Sequence, residues 1–249
     1  MDKPTQQIRL QFNNAPPGVS AALDSLSAVE RTGNHLFLGA DESTNIERLE
    51  TDDGGLTYAR HRLFPVADFI QLPGSDEEID VEGLSFSDNY LWLVGSHSLK
   101  RKKPKPKDNP QEQIKDLAHI KSELNRYVLA RIPIGQNPAT GEVAPCKSCT
   151  NPSDALQTLT ATHLPYSNPG NALMDAIKAD AHLAPFLSIP GKDNGLDIEG
   201  LAARGNRLFV GLRGPVLRGW AVILELAVED QNESHLALKG IGPQGQLYR

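Results

Sequence analysis

Sulfur and large aromatic side chains are scarce in this sequence, and it contains no long apolar run. There are two cysteines, two methionines and two tryptophans, and aromatic residues make up only 6% of the chain. A pair of cysteines, Cys146 and Cys149, excludes the disulfide framework that staples small secreted domains. One CxxC pair also supplies only half of the ligands of a structural zinc site. In APCKSCTN, flanked by Pro145 and Pro152, it lacks the strand-to-helix setting of a redox motif. Inert thiols or a local disulfide lead the readings of this pair, ahead of half a metal site and of redox chemistry. No segment has the apolar length of a membrane span. The first residues, MDKPTQQIRLQF, hold no apolar stretch of signal-peptide length, so the expectation is a cytoplasmic protein without a membrane partner.

Familiar catalytic fingerprints are missing too. There is no GxSxG nucleophile elbow, no P-loop and no dinucleotide fingerprint. Pro243 interrupts GIGPQG, the nearest approach to the last of these. The formal net charge of −6 argues against a nucleic-acid surface, which needs concentrated basic charge. One basic run does occur, KRKKPKPK at Lys100 to Lys107, and its prolines predict a stiff, solvated loop.

What the sequence does have is turns. Gly and Pro number 21 and 18, which suits many short elements better than long helices. Three segments repeat one another: LSAVERTGNHLFLG from Leu26, DVEGLSFSDNYLWLVG from Asp80, and DIEGLAARGNRLFVG from Asp197. Each reads as a strand, a tight turn (Gly33-Asn34, Asp88-Asn89, Gly205-Asn206) and a second strand ending in Gly. The second strands, such as Leu91-Trp92-Leu93-Val94, are apolar enough to be covered on both faces. Further strands are expected over Tyr58 to Phe64, Arg126 to Ile132 and Ala221 to Ala227. Helical patterns fall over Asn109 to Asn125 and over Asn168 to Leu187, the latter capped by Asn168 with Pro169 in first position. Radially arranged small sheets would cover such strands, so the predicted fold is all-β, a β-propeller of about four or more blades. The strand WAVILEL lies close to the end of the sequence. The expectation is therefore one domain over residues 1–249, an incomplete propeller with insertions at about 99–125 and 136–190.

Two acidic pairs stand out, Asp80 with Glu82 and Asp197 with Glu199. Two-residue spacing puts both members on one face of a strand, and Gly83 or Gly200 follows. Such carboxylates suit a hard cation such as calcium, or acid–base work if crowding separates their pKa values. They could equally serve as hydrogen-bond acceptors for turn N–H groups. A polar group follows each second strand: Asp41 and Glu42, then Ser96, His97 and Ser98, then Arg213. Superposed copies would gather these at one mouth, with His97 as a proton carrier and Arg213 as a clamp for a carboxylate or phosphate.

DVEGLSF with VGSHS, DIEGLAA with GLRGPV, and GADES at Gly39 to Ser43 together resemble the DUF3616 family, an uncharacterised bacterial domain. That family is distantly similar to esterase-like and phytase-like propeller domains. The resemblance implies a propeller and, through those relatives, at most a calcium-dependent phosphoester or ester hydrolase. No complete catalytic set is present, so a ligand-binding or interaction scaffold ranks first, for an anionic small molecule or a protein partner. A metal-assisted hydrolase using Asp80, Glu82, Asp197 and Glu199 with His97 and Arg213 ranks second. Partner recognition through the Lys100 to Lys107 loop follows, and nucleic-acid binding is last.

Overall fold

The computed structural model describes residues 6–12, 25–41, 43–74, 77–137 and 139–249. Strands β1 (Arg9–Leu10), β2 (Leu26–Thr32), β3 (His35–Ala40), β4 (Asn45–Glu50) and β5 (Thr57–Pro65) form a first sheet, ordered β1-β5-β4-β3-β2. Strands β6 (Val81–Ser87) and β7 (Tyr90–Gly95) open a second. The chain then leaves it for β8 (Lys100–Arg101), helix α1 (Pro110–Leu117) and β9 (Ile120–Lys121). It returns with β10 (Leu129–Gln136) and β11 (Val143–Pro145), giving the order β11-β10-β7-β6. Next come β12 (Ser148–Asn151), β13 (Asp154–Thr160), β14 (Thr162–His163), β15 (Tyr166–Ser167), β16 (Gly170–Asn171) and helix α2 (Ala172–Ile177). Of these, β14 pairs with β10. The third sheet is a meander of β17 (Asp197–Arg204), β18 (Arg207–Leu217), β19 (Trp220–Asp230) and β20 (Leu236–Lys239).

The three repeated segments are the hairpins β2–β3, β6–β7 and β17–β18. Their two-residue turns carry the backbone that hairpin twist demands. Asp88 and Asn89 both take positive φ, 51° and 64°, while Gly33 and Gly205 take 56° and 58° at the first turn position. Each hairpin also breaks register at the same place. Leu26 pairs with Ala40 and Ala28 with Gly39; Val81 pairs with Gly95 and Gly83 with Val94; Ile198 pairs with Leu212 and Gly200 with Gly211. Ser27, Glu82 and Glu199 are therefore the extra residues of three equivalent β-bulges, which re-aim their side chains.

The second sheet lies between the other two. Leu91 and Leu93 pack with Phe37, Ile46 and Val81 towards the first sheet. Trp92 and Val94 pack with Ile198, Leu208, Val210 and Leu224 towards the third. The apolar run of β7 thus has both faces covered, as its composition predicts. Strand β6 packs against both β2 and β17.

The stack corrects the expected β-propeller. The sheets remain open and are not arranged radially around a channel. The outer face of the first sheet, with Leu36, Leu38, Leu49 and Tyr58, is covered by Leu10 and Phe12. The outer face of the third is open to solvent: Ile223 is 65% exposed and Trp220 77%. Strand β19 lies inside its sheet yet is buried on one face only. Stacking buries the apolar runs of the first two repeats, Leu36 to Leu38 and Leu91 to Val94, without ring closure, whereas Phe209 in the run of the third is 38% exposed.

The helices are shorter than their patterns suggest. Asn109 caps α1 in a reciprocal capping box with Glu112, but the helix ends after Leu117, and Ile114 and Leu117 are exposed. In the second pattern Asn168 and Pro169 form the turn between β15 and β16, and the cap is Asn171, whose side chain accepts from Leu173 and Met174 N–H groups. The basic run is partly neutralised: Lys100 pairs with Glu78, Arg101 with Asp193 and Lys102 with Asp116. No helix among the described residues is long and apolar enough to cross a membrane.

Leu93 is fully buried at the first interface. Leu93→Ala is expected to cost about 2–5 kcal/mol, read as a lowered urea midpoint with an unchanged slope.

Candidate functional site

The starts of β6 and β17 and the ends of β3, β7 and β18 meet at one end of the stack. Backbone bonds hold this end together. Asp41 N–H donates to Ser25 O at 2.9 Å, Ser96 N–H to Asp80 O at 3.1 Å, and Ile198 N–H to Ser96 O at 2.8 Å. The last of these ties the third sheet to the second.

Here Asp41, Asp80 and Glu82 bring one carboxylate oxygen each within 4.8 Å of one another. The pair Asp80 and Glu82 converges by a different route from simple strand alternation. Asp80 precedes β6 and adopts φ 57°, and Glu82 is the bulged residue. Asp41 arrives from the first sheet, one residue beyond β3.

Asp80 is buried, and Arg126 neutralises it. Arg126 Nη2 lies 2.7 Å from the Asp80 carboxylate, while its Nη1 donates to Ser98 Oγ at 2.8 Å and Ser96 Oγ at 3.2 Å. Burial nonetheless raises the Asp80 pKa, with Arg126 opposing. The guanidinium comes from the short 3-10 turn Leu124–Tyr127, whose backbone passes so close that a Cβ on Gly95 would lie 2.5 Å from Arg126 O. Glycine is therefore required at the end of β7.

Among the described residues Glu82 has no comparable partner. Burial raises its pKa, and the charges that act on it most, Asp80, Asp41, Glu199 and Asp197, are all negative; together they push it up to about 8. It therefore holds a proton at neutral pH, when like charges crowd it.

The second acidic pair is engaged differently. Arg213 pairs with both Asp197 and Glu199. Burial raises Asp197 to about 6 even so, against the pull of Arg213. A Cβ at Gly191 would sit 2.5 Å from Asp197 Oδ2, so glycine there leaves room for the carboxylate. The four acids singled out in the sequence thus share one end of the molecule but divide into two sets. Asp80 and Glu82 join Asp41, while Asp197 and Glu199 hold Arg213.

His97 is also close by in sequence but is buried and internally bonded. Its Nδ1 lies 2.8 Å from Gly95 O and its Nε2 2.8 Å from Asn171 Nδ2. The amide donates, so Nε2 accepts and Nδ1 carries the hydrogen. Burial lowers the pKa to about 4, which leaves the ring neutral. Glu42 lies outside the described residues. Arg126 was not among the candidates from sequence, because nothing local marks a residue 46 positions away as the partner of Asp80. Asp41 did carry a signal: like Ser96, it is the first residue beyond the second strand of its hairpin, and Arg213 holds the matching position, next to the bulge, within β18.

A mainly β domain with a crowded carboxylate cluster at the end of a three-sheet stack is the class that these observations define. The chain matches the family model described as DUF3616, protein of unknown function, over residues 25–249, and it belongs to that family. No curated protein matches it.

Two measurements probe this electrostatic arrangement. Arg126→Ala leaves Asp80 buried without its partner and is expected to cost about 3–5 kcal/mol, seen as a lower denaturation midpoint. Folded Glu82 keeps its proton to about pH 8, whereas the unfolded chain releases it near the ordinary value of 4.5. The folded state binds more protons across that window, so this group lowers stability as pH rises through it. Glu82→Gln is expected to remove that loss and to raise stability at pH 9 by about 1–2 kcal/mol, allowing for solvent screening of a half-buried group. A pH series of denaturant melts on both proteins reads the difference.

Proposed function

We propose that this domain is a binding module in which Asp41, Asp80 and Glu82 hold a hard divalent cation such as calcium, and the cation in turn holds an anionic small molecule. The observation that carries this reading is the spacing of the three carboxylate oxygens, all within 4.8 Å. Oxygen ligands around one calcium ion lie about 2.3–2.6 Å from it, so oxygens about 5 Å apart or closer can share an ion. Calcium takes about 6–8 oxygen ligands, so three carboxylates leave positions for water or for oxygens of an anion. The charge balance supports the same reading, since Glu82 faces an excess of carboxylates that a cation would relieve.

A second reading, hydrolysis of a phosphoester or ester at the same site, draws on Glu82 as a group that holds a proton near neutral pH. It ranks lower. His97 is buried in two hydrogen bonds, and Arg213 is engaged by two carboxylates. These engagements favour binding over catalysis by either group.

Cation binding must displace the Glu82 proton. Calcium affinity is therefore expected to rise about tenfold per pH unit below pH 8 and to level off above it. Calorimetric titration with calcium chloride at pH 6.5 and 8.5 checks this on wild type and on Glu82→Gln. Saturable binding that is stronger at pH 8.5 and weakened at least about tenfold in the variant supports the site. No binding by wild type at pH 8.5 overturns it.

A further inference from the structure

The cysteine pair lies away from the acidic end, at the edge of the second sheet. Cys146 follows β11 and Cys149 sits within β12, opposite Leu159. Both are free thiols and both are half-buried. Their sulfurs converge on one point of the backbone: a Cβ built on Gly135 would lie 3.0 Å from Cys146 Sγ and 3.0 Å from Cys149 Sγ. Any side chain at that position in β10 would have to force the thiols aside. The turn between them is anchored from both flanks, since Cys146 N–H donates to Pro133 O and Ala161 N–H to Lys147 O, each at 2.9 Å. The convergence is thus set by the second sheet and its neighbouring hairpin.

The thiols are also reachable. They line an open cavity of about 270 Å³ with Arg62, Phe64, Gln136 and Glu142 around it. Lys147 and Ser148, between the cysteines, are exposed. A small disulfide-bearing molecule has room to approach either sulfur.

We propose that Cys146 and Cys149 form a redox-active dithiol that closes to an intramolecular disulfide by exchange with a small-molecule disulfide. Cys149 is the attacking residue and Cys146 the resolving one. Cys146 Sγ is held 3.5 Å from Pro133 O, to which it donates, and burial together with its contact to Cys149 pushes its pKa up. In the first step the Cys149 thiolate bonds to one sulfur of the small disulfide. The S–S bond of that molecule breaks, and one small thiolate leaves and takes a proton. In the second step Cys146 loses its proton to solvent and attacks Cys149 Sγ, which expels the second small thiolate. The protein loses two protons and two electrons, and the small disulfide is reduced to two thiols.

The test exposes the reduced, folded protein to glutathione disulfide, alkylates the remaining thiols and measures intact mass. The expected product has lost both alkylatable thiols together, carries no glutathione, and is restored by dithiothreitol. Cys146→Ser is expected to stop with one glutathione on Cys149. Cys149→Ser is expected to react at least about tenfold more slowly than Cys146→Ser. Wild-type protein that accumulates glutathione adducts without closing, or that does not react in the folded state, overturns the proposal, whatever the variants do.

Discussion

Strand β6 approaches β17 so closely that a Cβ on Gly83 would lie 2.7 Å from Leu201 Cβ and 2.9 Å from Leu201 N. On its other side a Cβ on Gly39 would lie 2.6 Å from Val81 Cγ1. Such contacts are possible only where one partner has no side chain. Ser85 and Ser87 reinforce the approach, since their hydroxyls accept from Ala203 and Gly205 N–H groups at 2.9 and 2.8 Å. Ser27 donates to Val81 O at 2.5 Å from the other flank. With β6 held between β2 and β17, the second sheet is covered on both faces. Three hairpins are then aligned with their bulges at the same end.

That alignment has an electrostatic consequence. Residues that are modest acids in isolation are brought into one region, and the fold supplies two guanidinium groups to accommodate them. Arg126 is used on Asp80 and Arg213 on Asp197 and Glu199. Glu82 is left among carboxylates and responds by holding its proton. Burying a charge without a partner is costly, so either protonation or a bound cation must offset the crowding. The proposed cation site rests on this balance. The dithiol at the sheet edge obeys a separate geometric rule, the missing side chain at Gly135.

The correction from propeller to open stack follows from particular elements. The three repeats fold as the hairpins that their turns and apolar runs predict, and β7 is buried on both faces. Closure is a different matter, because it depends on the angles between sheets and on what covers the outermost faces. Trp220 and Ile223 belong to the apolar run WAVILEL, yet they lie on the solvent face of the third sheet. The helical pattern from Asn109 starts at Pro110 as expected, but Ile114 and Leu117 are exposed and give the helix no apolar contact among the described residues to prolong it.

The sequence by itself determined the hairpins, their turn residues, the position of the acidic pairs and the polar residues that follow each apolar run. These features follow from spacing along the chain and from the backbone preferences of Gly, Asn and Asp. Tertiary structure alone decided how the carboxylates were divided. It placed Asp41 with Asp80 and Glu82, gave Arg213 to Asp197 and Glu199, brought Arg126 from 46 residues away and sealed His97 beneath Asn171. The reason is physical: the charge state and partners of a buried group depend on contacts between sheets, and those contacts have no fixed spacing in the chain.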